Sequence, residues 1–129
     1  MKIGYVDTSC LVAIAFAEPG ATKLTRTLSG FDSLLSSNLL EAELRAAVSR
    51  ERTDEKQTET LLSWVTWVFP QRELTREISQ ILRFGYLRGA DLWHLAVALF
   101  VAAEPNRIFF LTLDTRQKVV AKALGFKEL

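Results

Sequence analysis

Four carboxylates in this chain occupy positions suited to chemistry: Asp7 after a short β-prone run, Glu43 within a helical stretch, Asp91 at the head of an apolar helix, and Asp114 after a second β-prone run. Asp7 follows Lys2 to Val6, and Asp114 follows Arg107 to Leu113. Ligands of open α/β sheets bind beyond the carboxyl ends of the strands, which is where both aspartates would lie. Glu43 shares a helical face with Leu40, Leu44 and Ala47 and so points inward, whereas Glu41, four residues before Arg45, has the spacing of an exposed ion pair. Asp91 aligns with His94, Leu95 and Ala98. Neither strand end carries a Gly-rich turn, so a dinucleotide fingerprint and a P-loop are both excluded. If the four acids converge, each pair about 5 Å apart repels by roughly 3 kcal/mol at an effective dielectric near 20, and the cluster needs cations. With one Cys and one His in the whole chain, such a site favours a hard ion, Mg²⁺ or Mn²⁺, over zinc. That chemistry suits hydrolysis of phosphate esters, with no protein nucleophile.

Each acid also has a plainer reading. Asp7, Asp91 and Asp114 can each cap a helix, and Asp114 with Gln117 has capping-box spacing. Glu43 can snorkel from the edge of its stripe. His94 invites a general-base or ligand role, but a lone histidine on an apolar helix is more often packed and hydrogen-bonded. Cys10 is read as packing, since no base pairs with it. Among Arg45, Arg50, Arg72, Arg88 and Arg116, the last is the most attractive phosphate contact because it lies two residues beyond Asp114.

The elements that must position these residues follow from pattern. Lys2 to Val6 reads as a strand and Cys10 to Ala17 as a helix stopped by Pro19-Gly20. Ala21 to Ser29 is a short helix, Asp32 to Ser37 a strand, and Ser37 or Asn38 caps a helix to about Arg52. A helix from Thr53 or Asp54 runs through Trp64 and Trp67 to Pro70, forming a hairpin with its predecessor, and Val68 to Leu74 holds a brief strand. Thr75 to Tyr86 places Ile78, Ile81, Leu82 and Tyr86 at helical spacing; Gly89 separates it from a helix over Asp91 to Ala103. Arg107 to Leu113 is the best strand, Asp114 to Leu124 a helix stopped by Gly125, and Phe126 to Leu129 a last edge strand. Alternating strands and helices imply a three-layer α/β/α domain with a mostly parallel sheet of four to five strands. The two tryptophans three apart widen an apolar helical face, which favours a homodimer or a groove for a partner.

The chain has 129 residues with a net charge of +1, enough for a single core and too little for two ordinary domains. Near-neutrality excludes nucleic-acid binding through bulk charge alone. Leu92 to Ala103, the longest uncharged apolar run, falls short of the roughly 20 residues that span a bilayer, so no membrane association is expected. A carboxylate at position 7 does not suit a secretory signal, and a lone cysteine fits a reducing cytoplasm.

Four blocks resemble the PIN-domain ribonucleases, and within them the VapC-like toxins of prokaryotic toxin–antitoxin pairs: YVDTSCLVAIAF, SSNLLEAELRAA, LRGADLWHLAVAL and FFLTLDTRQKVVAKALGF. The resemblance covers almost the whole of residues 1–129 as one PIN-like domain. It implies that Asp7, Glu43, Asp91 and Asp114 bind one or two Mg²⁺ or Mn²⁺ ions, with Ser9, Thr8 and Thr112 supporting them by hydrogen bonds. It implies an endoribonuclease leaving 5′-phosphate and 3′-hydroxyl ends, restrained by a small antitoxin; Arg116 and Arg45 are RNA-contact candidates by their position alone, and surface solvation is the commoner role for any one arginine. Two competitors remain: a catalytically inactive PIN-like module that binds RNA or protein, and an aspartyl-phosphate enzyme using Asp7. The second is disfavoured because Ser9 stands where haloacid-dehalogenase-like phosphatases carry their second Asp.

Overall fold

A computed structural model describes residues 1–129. Four short strands, β1 (Ile3–Val6), β2 (Ser33–Ser37), β3 (Val65–Val68) and β4 (Phe109–Leu111), form one sheet in the order β3-β2-β1-β4, and every pairing is parallel. Parallel strands need crossovers, and the helices that supply them cover both faces. The helices are α1 (Thr8–Ala15), α2 (Ala21–Ser29), α3 (Leu39–Glu51), α4 (Glu55–Ser63), α5 (Thr75–Leu82), α6 (Gly89–Val101) and α7 (Thr115–Leu124). The expected three-layer α/β/α architecture is what the chain forms, with four strands.

The pleat of β1 divides the core. Val6 packs with Cys10, Leu11, Leu28, Leu40, Leu44 and Leu61 under α1 to α4. Tyr5, facing the other way, packs with Ile81, Leu95, Val97, Val120 and Phe126 under α5, α6 and α7. Its ring stacks on Phe110, 5.6 Å between centroids. Gly4 lies where the layers approach most closely. A Cβ there would come within 2.7 Å of the Leu111 Cδ1 and 3.0 Å of the Phe31 ring. Leu111 is 2% exposed, so displacing it disturbs the core. Gly4→Val is therefore expected to destabilise the fold by about 1–3 kcal/mol through overpacking, measured as a lower urea midpoint; an unchanged midpoint would show that β1 tolerates a side chain there.

Four sequence expectations are corrected. Trp64 and Trp67 do not share a helical face: α4 ends at Ser63 and Val65–Val68 is the strand β3. Its β-branched and aromatic residues pair with β2 from Leu34↔Val65 to Ser37↔Val68, a long-range gain that local periodicity does not register. With that face gone, so is the argument it lent to a partner groove. Helix α5 stops at Leu82, leaving Tyr86 66% exposed rather than in the core. Gly85 lets this loop close on α7, since a Cβ there would meet the Val120 Cγ2 at 3.1 Å. Gly89, expected as a separator, opens α6 instead. The C-terminal edge strand reduces to a single bridge, Phe109↔Lys127. No helix is long and apolar enough to cross a membrane.

Candidate functional site

Asp7, the residue after β1, begins α1 as its N-cap, its Oδ2 accepting the Ser9 N–H at 3.1 Å. Asp114, after β4, does the same for α7, its Oδ1 accepting the Gln117 N–H at 2.7 Å. The capping reading is thus true of both residues. It does not exhaust them, because the parallel sheet sets the ends of β1 and β4 side by side, with Val6 opposite Leu111.

A buried polar lattice joins the two aspartates. Thr112, 6% exposed, has its hydroxyl 2.7 Å from the Gln117 Oε1 and 3.2 Å from the Asp7 Oδ2, and accepts the Asp114 N–H at 3.0 Å. Ser9 accepts the Leu113 N–H at 3.0 Å and lies 3.3 Å from the Thr112 hydroxyl. Gln117, fully buried, donates its amide to the Asp7 Oδ1 at 3.3 Å and to the Asp91 carbonyl at 3.1 Å. One neutral side chain thereby ties together the starts of α1, α6 and α7. Sequence reasoning missed this residue. The Asp114–Gln117 spacing that suggested a capping box was the available signal, but the glutamine turns inward and Thr112 takes the Asp114 N–H instead.

Asp91, in the first turn of α6, differs from the other three. No protein donor reaches its carboxylate, and burial together with the neighbouring Asp7 and Asp114 pushes its pKa above the usual carboxylate range, with Arg88 opposing. Glu43 comes from α3, in the opposite layer. Its Oε1 accepts the Thr8 hydroxyl at 2.6 Å and faces the His94 Nε2 at 2.8 Å, leaving Oε2 without a protein partner. Burial pulls this carboxyl upward, and the bonds from His94 and Thr8 outweigh it, so the pKa falls below its ordinary value. The arrangement brings the four acids to one end of the sheet, yet no three acidic, histidine or cysteine side chains converge on a common ion position.

The remaining candidates separate clearly. Arg116 bears no carboxylate partner, and its guanidinium stands 5.9 Å from the Tyr86 ring centroid. Arg45 is held by Glu41 at 2.8 Å and Glu59 at 2.6 Å, so its charge is already matched. Cys10 is buried with its thiol pushed up to about 12, which suits packing and not reactivity. A cleft of about 350 Å³ at the amino ends of β2 and β3, lined by Leu28, Phe31 and Trp64 among others, contains none of the four acids.

The PIN domain pattern matches residues 4–123. Ribonuclease VapC45 and ribonuclease VapC49, both of Mycobacterium tuberculosis, are each 32% identical over 136 residues, spanning 97% of this chain and 93% of the relative. Ribonuclease VapC46 of the same species is 30% identical over 122 residues, covering 94% and 92%. With the parallel four-stranded sheet flanked by helical layers, these matches establish that the chain belongs to the PIN-domain family, in its VapC-like branch.

Proposed function

We propose that residues 1–129 form one metal-dependent endoribonuclease domain in which Asp7, Glu43, Asp91 and Asp114 hold one or two Mg²⁺ or Mn²⁺ ions. The observation that carries this reading is the Asp91 carboxylate, partly buried among like charges with no hydrogen-bond donor. A protein gains nothing from such a group unless a cation offsets it. In ligand chemistry the donor set fits, although the carboxylates do not converge on one point: Asp91 and the unpartnered Oε2 of Glu43 are hard oxygen ligands, and Asp7 is oriented by Gln117, Thr112 and Ser9, as ligating carboxylates commonly are. Bound there, the ion supplies charge neutralisation at the phosphodiester and lowers the pKa of the attacking water. Arg116, with the exposed Tyr86 beside it, offers the RNA backbone a positive contact at the rim. In-line attack by water leaves 5′-phosphate and 3′-hydroxyl ends and asks no covalent step of any side chain.

The ribonuclease names of the VapC relatives support RNA as substrate; a role as the toxin of a toxin–antitoxin pair in the cytoplasm is part of the same proposal. Pairing with an antitoxin and with a second copy of the chain belongs to the same reading, and Phe69, Leu82 and Phe84 are exposed apolar side chains available for such contacts. Purified protein given structured RNA and Mn²⁺ or Mg²⁺ is expected to produce discrete fragments with 5′-phosphate ends, and EDTA is expected to stop the reaction. Equal cutting in EDTA would sink the metal requirement.

A further inference from the structure

His94 lies on α6 one turn beyond Asp91 and is 1% exposed. Both of its ring nitrogens are engaged, which removes it as a metal ligand or general base. The Tyr5 hydroxyl is 2.9 Å from Nδ1, while Nε2 faces the Glu43 Oε1 at 2.8 Å and the Thr8 hydroxyl at 3.1 Å. The Tyr5 oxygen accepts the Ser37 N–H at 3.0 Å, so its own O–H is free to donate to Nδ1. That assignment puts the ring proton on Nε2, aimed at Glu43. A buried chain therefore runs from the end of β2 to the carboxylate, each member donating to the next: Ser37 N–H, Tyr5 O–H, His94 Nε2–H, Glu43.

The chain is braced at both ends. Trp93 donates its indole N–H to the Ser37 hydroxyl at 3.1 Å, and that hydroxyl also accepts the Leu39 N–H at 3.1 Å, fixing the step from β2 into α3. Tyr5, fully buried, is held by its stack on Phe110. At the other end, His94 and Thr8 meet the same oxygen of Glu43. Two donors on Oε1 set the rotation of a side chain that reaches across from the opposite layer, and they leave Oε2 as its open ligand.

We propose that His94 is the positioning residue of Glu43: backed by Tyr5 and Ser37, it anchors Oε1 so that Oε2 is presented to the cation. The inference rests on the metal-dependent reading above. The test is calorimetric titration of the full chain with Mn²⁺, comparing wild type, His94→Leu, His94→Gln, Tyr5→Phe and Asp7→Asn. His94→Leu, which keeps apolar bulk and loses the donor, is expected to weaken Mn²⁺ binding about 10- to 100-fold. His94→Gln, whose amide N–H reaches the Nε2 position, is expected to restore most of it, and Tyr5→Phe to fall between. ¹⁵N spectra of the wild type are expected to show Nε2 protonated and Nδ1 bare. Equal Mn²⁺ affinity in a folded His94→Leu variant overturns the inference, as does a Gln variant no better than Leu, which would mean a packing role. Should His94→Leu not fold, unchanged affinity in Tyr5→Phe overturns it. Loss of binding in Asp7→Asn without loss in the His94 variants defeats the positioning role alone. Wild type and Asp7→Asn binding equally would defeat the metal site itself.

Discussion

Asp7→Asn is expected to reduce RNA cleavage on the order of 10³-fold while leaving the protein folded. On the proposed metal-dependent reading, the loss follows from removing one charged ligand from a site whose ion would contribute several kcal/mol of transition-state stabilisation, at about 1.4 kcal/mol per decade of rate. The fold survives because an asparagine oxygen caps a helix about as well as an aspartate oxygen, so the Ser9 N–H keeps its acceptor. The weak point is the 3.3 Å bond from Gln117, which would face an amide N–H if the new side chain turns that way. Gln117 cannot simply flip, since its Oε1 is 2.7 Å from the Thr112 hydroxyl. The cost is about 1 kcal/mol, visible as a small drop in Tm. Cleavage by the variant within tenfold of wild type, with matched circular dichroism, would remove Asp7 from the site.

The second large effect concerns stability and changes sign with metal. The Asp91 carboxyl has a raised pKa in the folded protein, so the native state holds its proton to higher pH than the unfolded chain does. Stability therefore declines as pH climbs from the ordinary carboxylate range through the raised value, and the penalty is complete above it. At pH 7 in EDTA, Asp91→Asn is expected to melt higher than wild type by a few degrees, because solvent screens part of the repulsion. The gap should close near pH 3, where both carry a neutral group. With Mn²⁺ at about 100 times its Kd, wild type gains about 2.7 kcal/mol and the variant little, so the order reverses. Scanning calorimetry in the two buffers decides it; a variant that melts below wild type in EDTA at pH 7 would mean that Asp91 is not under electrostatic strain.

How much of this could be read in advance depends on the range of the interaction. The parallel α/β/α plan was legible because strand and helix signals alternate and their stops are chemical: Gly125 adopts a left-handed conformation, φ 102°, where α7 ends, as its position implies. Helix α3 and the strand β2 lie within a residue or two of their expected ends. Val65–Val68 was not legible, since VTWV suits either state and its strand identity comes from pairing with β2, about 30 residues earlier. The site divides in the same way. Asp7 and Asp114 announce themselves by following strands, and Glu43 by breaking an apolar stripe. Tyr5 gave no such signal and Gln117 only its capping-box spacing, because their partners lie 89 and 110 residues away in the chain. His94 was visible as an oddity, but its partners exist only once α6 packs on Tyr5 of β1 and meets Glu43 of α3 beyond the strand ends.

The double duty of Asp7 and Asp114, each a helix cap and a member of the acid cluster, also constrains how the gene can decay. Among the residues one base change away from an aspartate codon, asparagine keeps an oxygen at capping distance and glycine caps at a cost of only a few tenths of a kcal/mol, whereas alanine, valine, tyrosine and histidine lose the cap. If the proposed toxin reading holds, a cell relieved by silencing this protein keeps a folded copy by the single step to asparagine or glycine at either position. The steps to alanine, valine, tyrosine and histidine remove the carboxylate and loosen a helix together, sending the chain toward proteolysis. Inactive descendants that persist should therefore be marked by Asn or Gly at one of these two sites, a signature readable by sequencing survivors of induced expression.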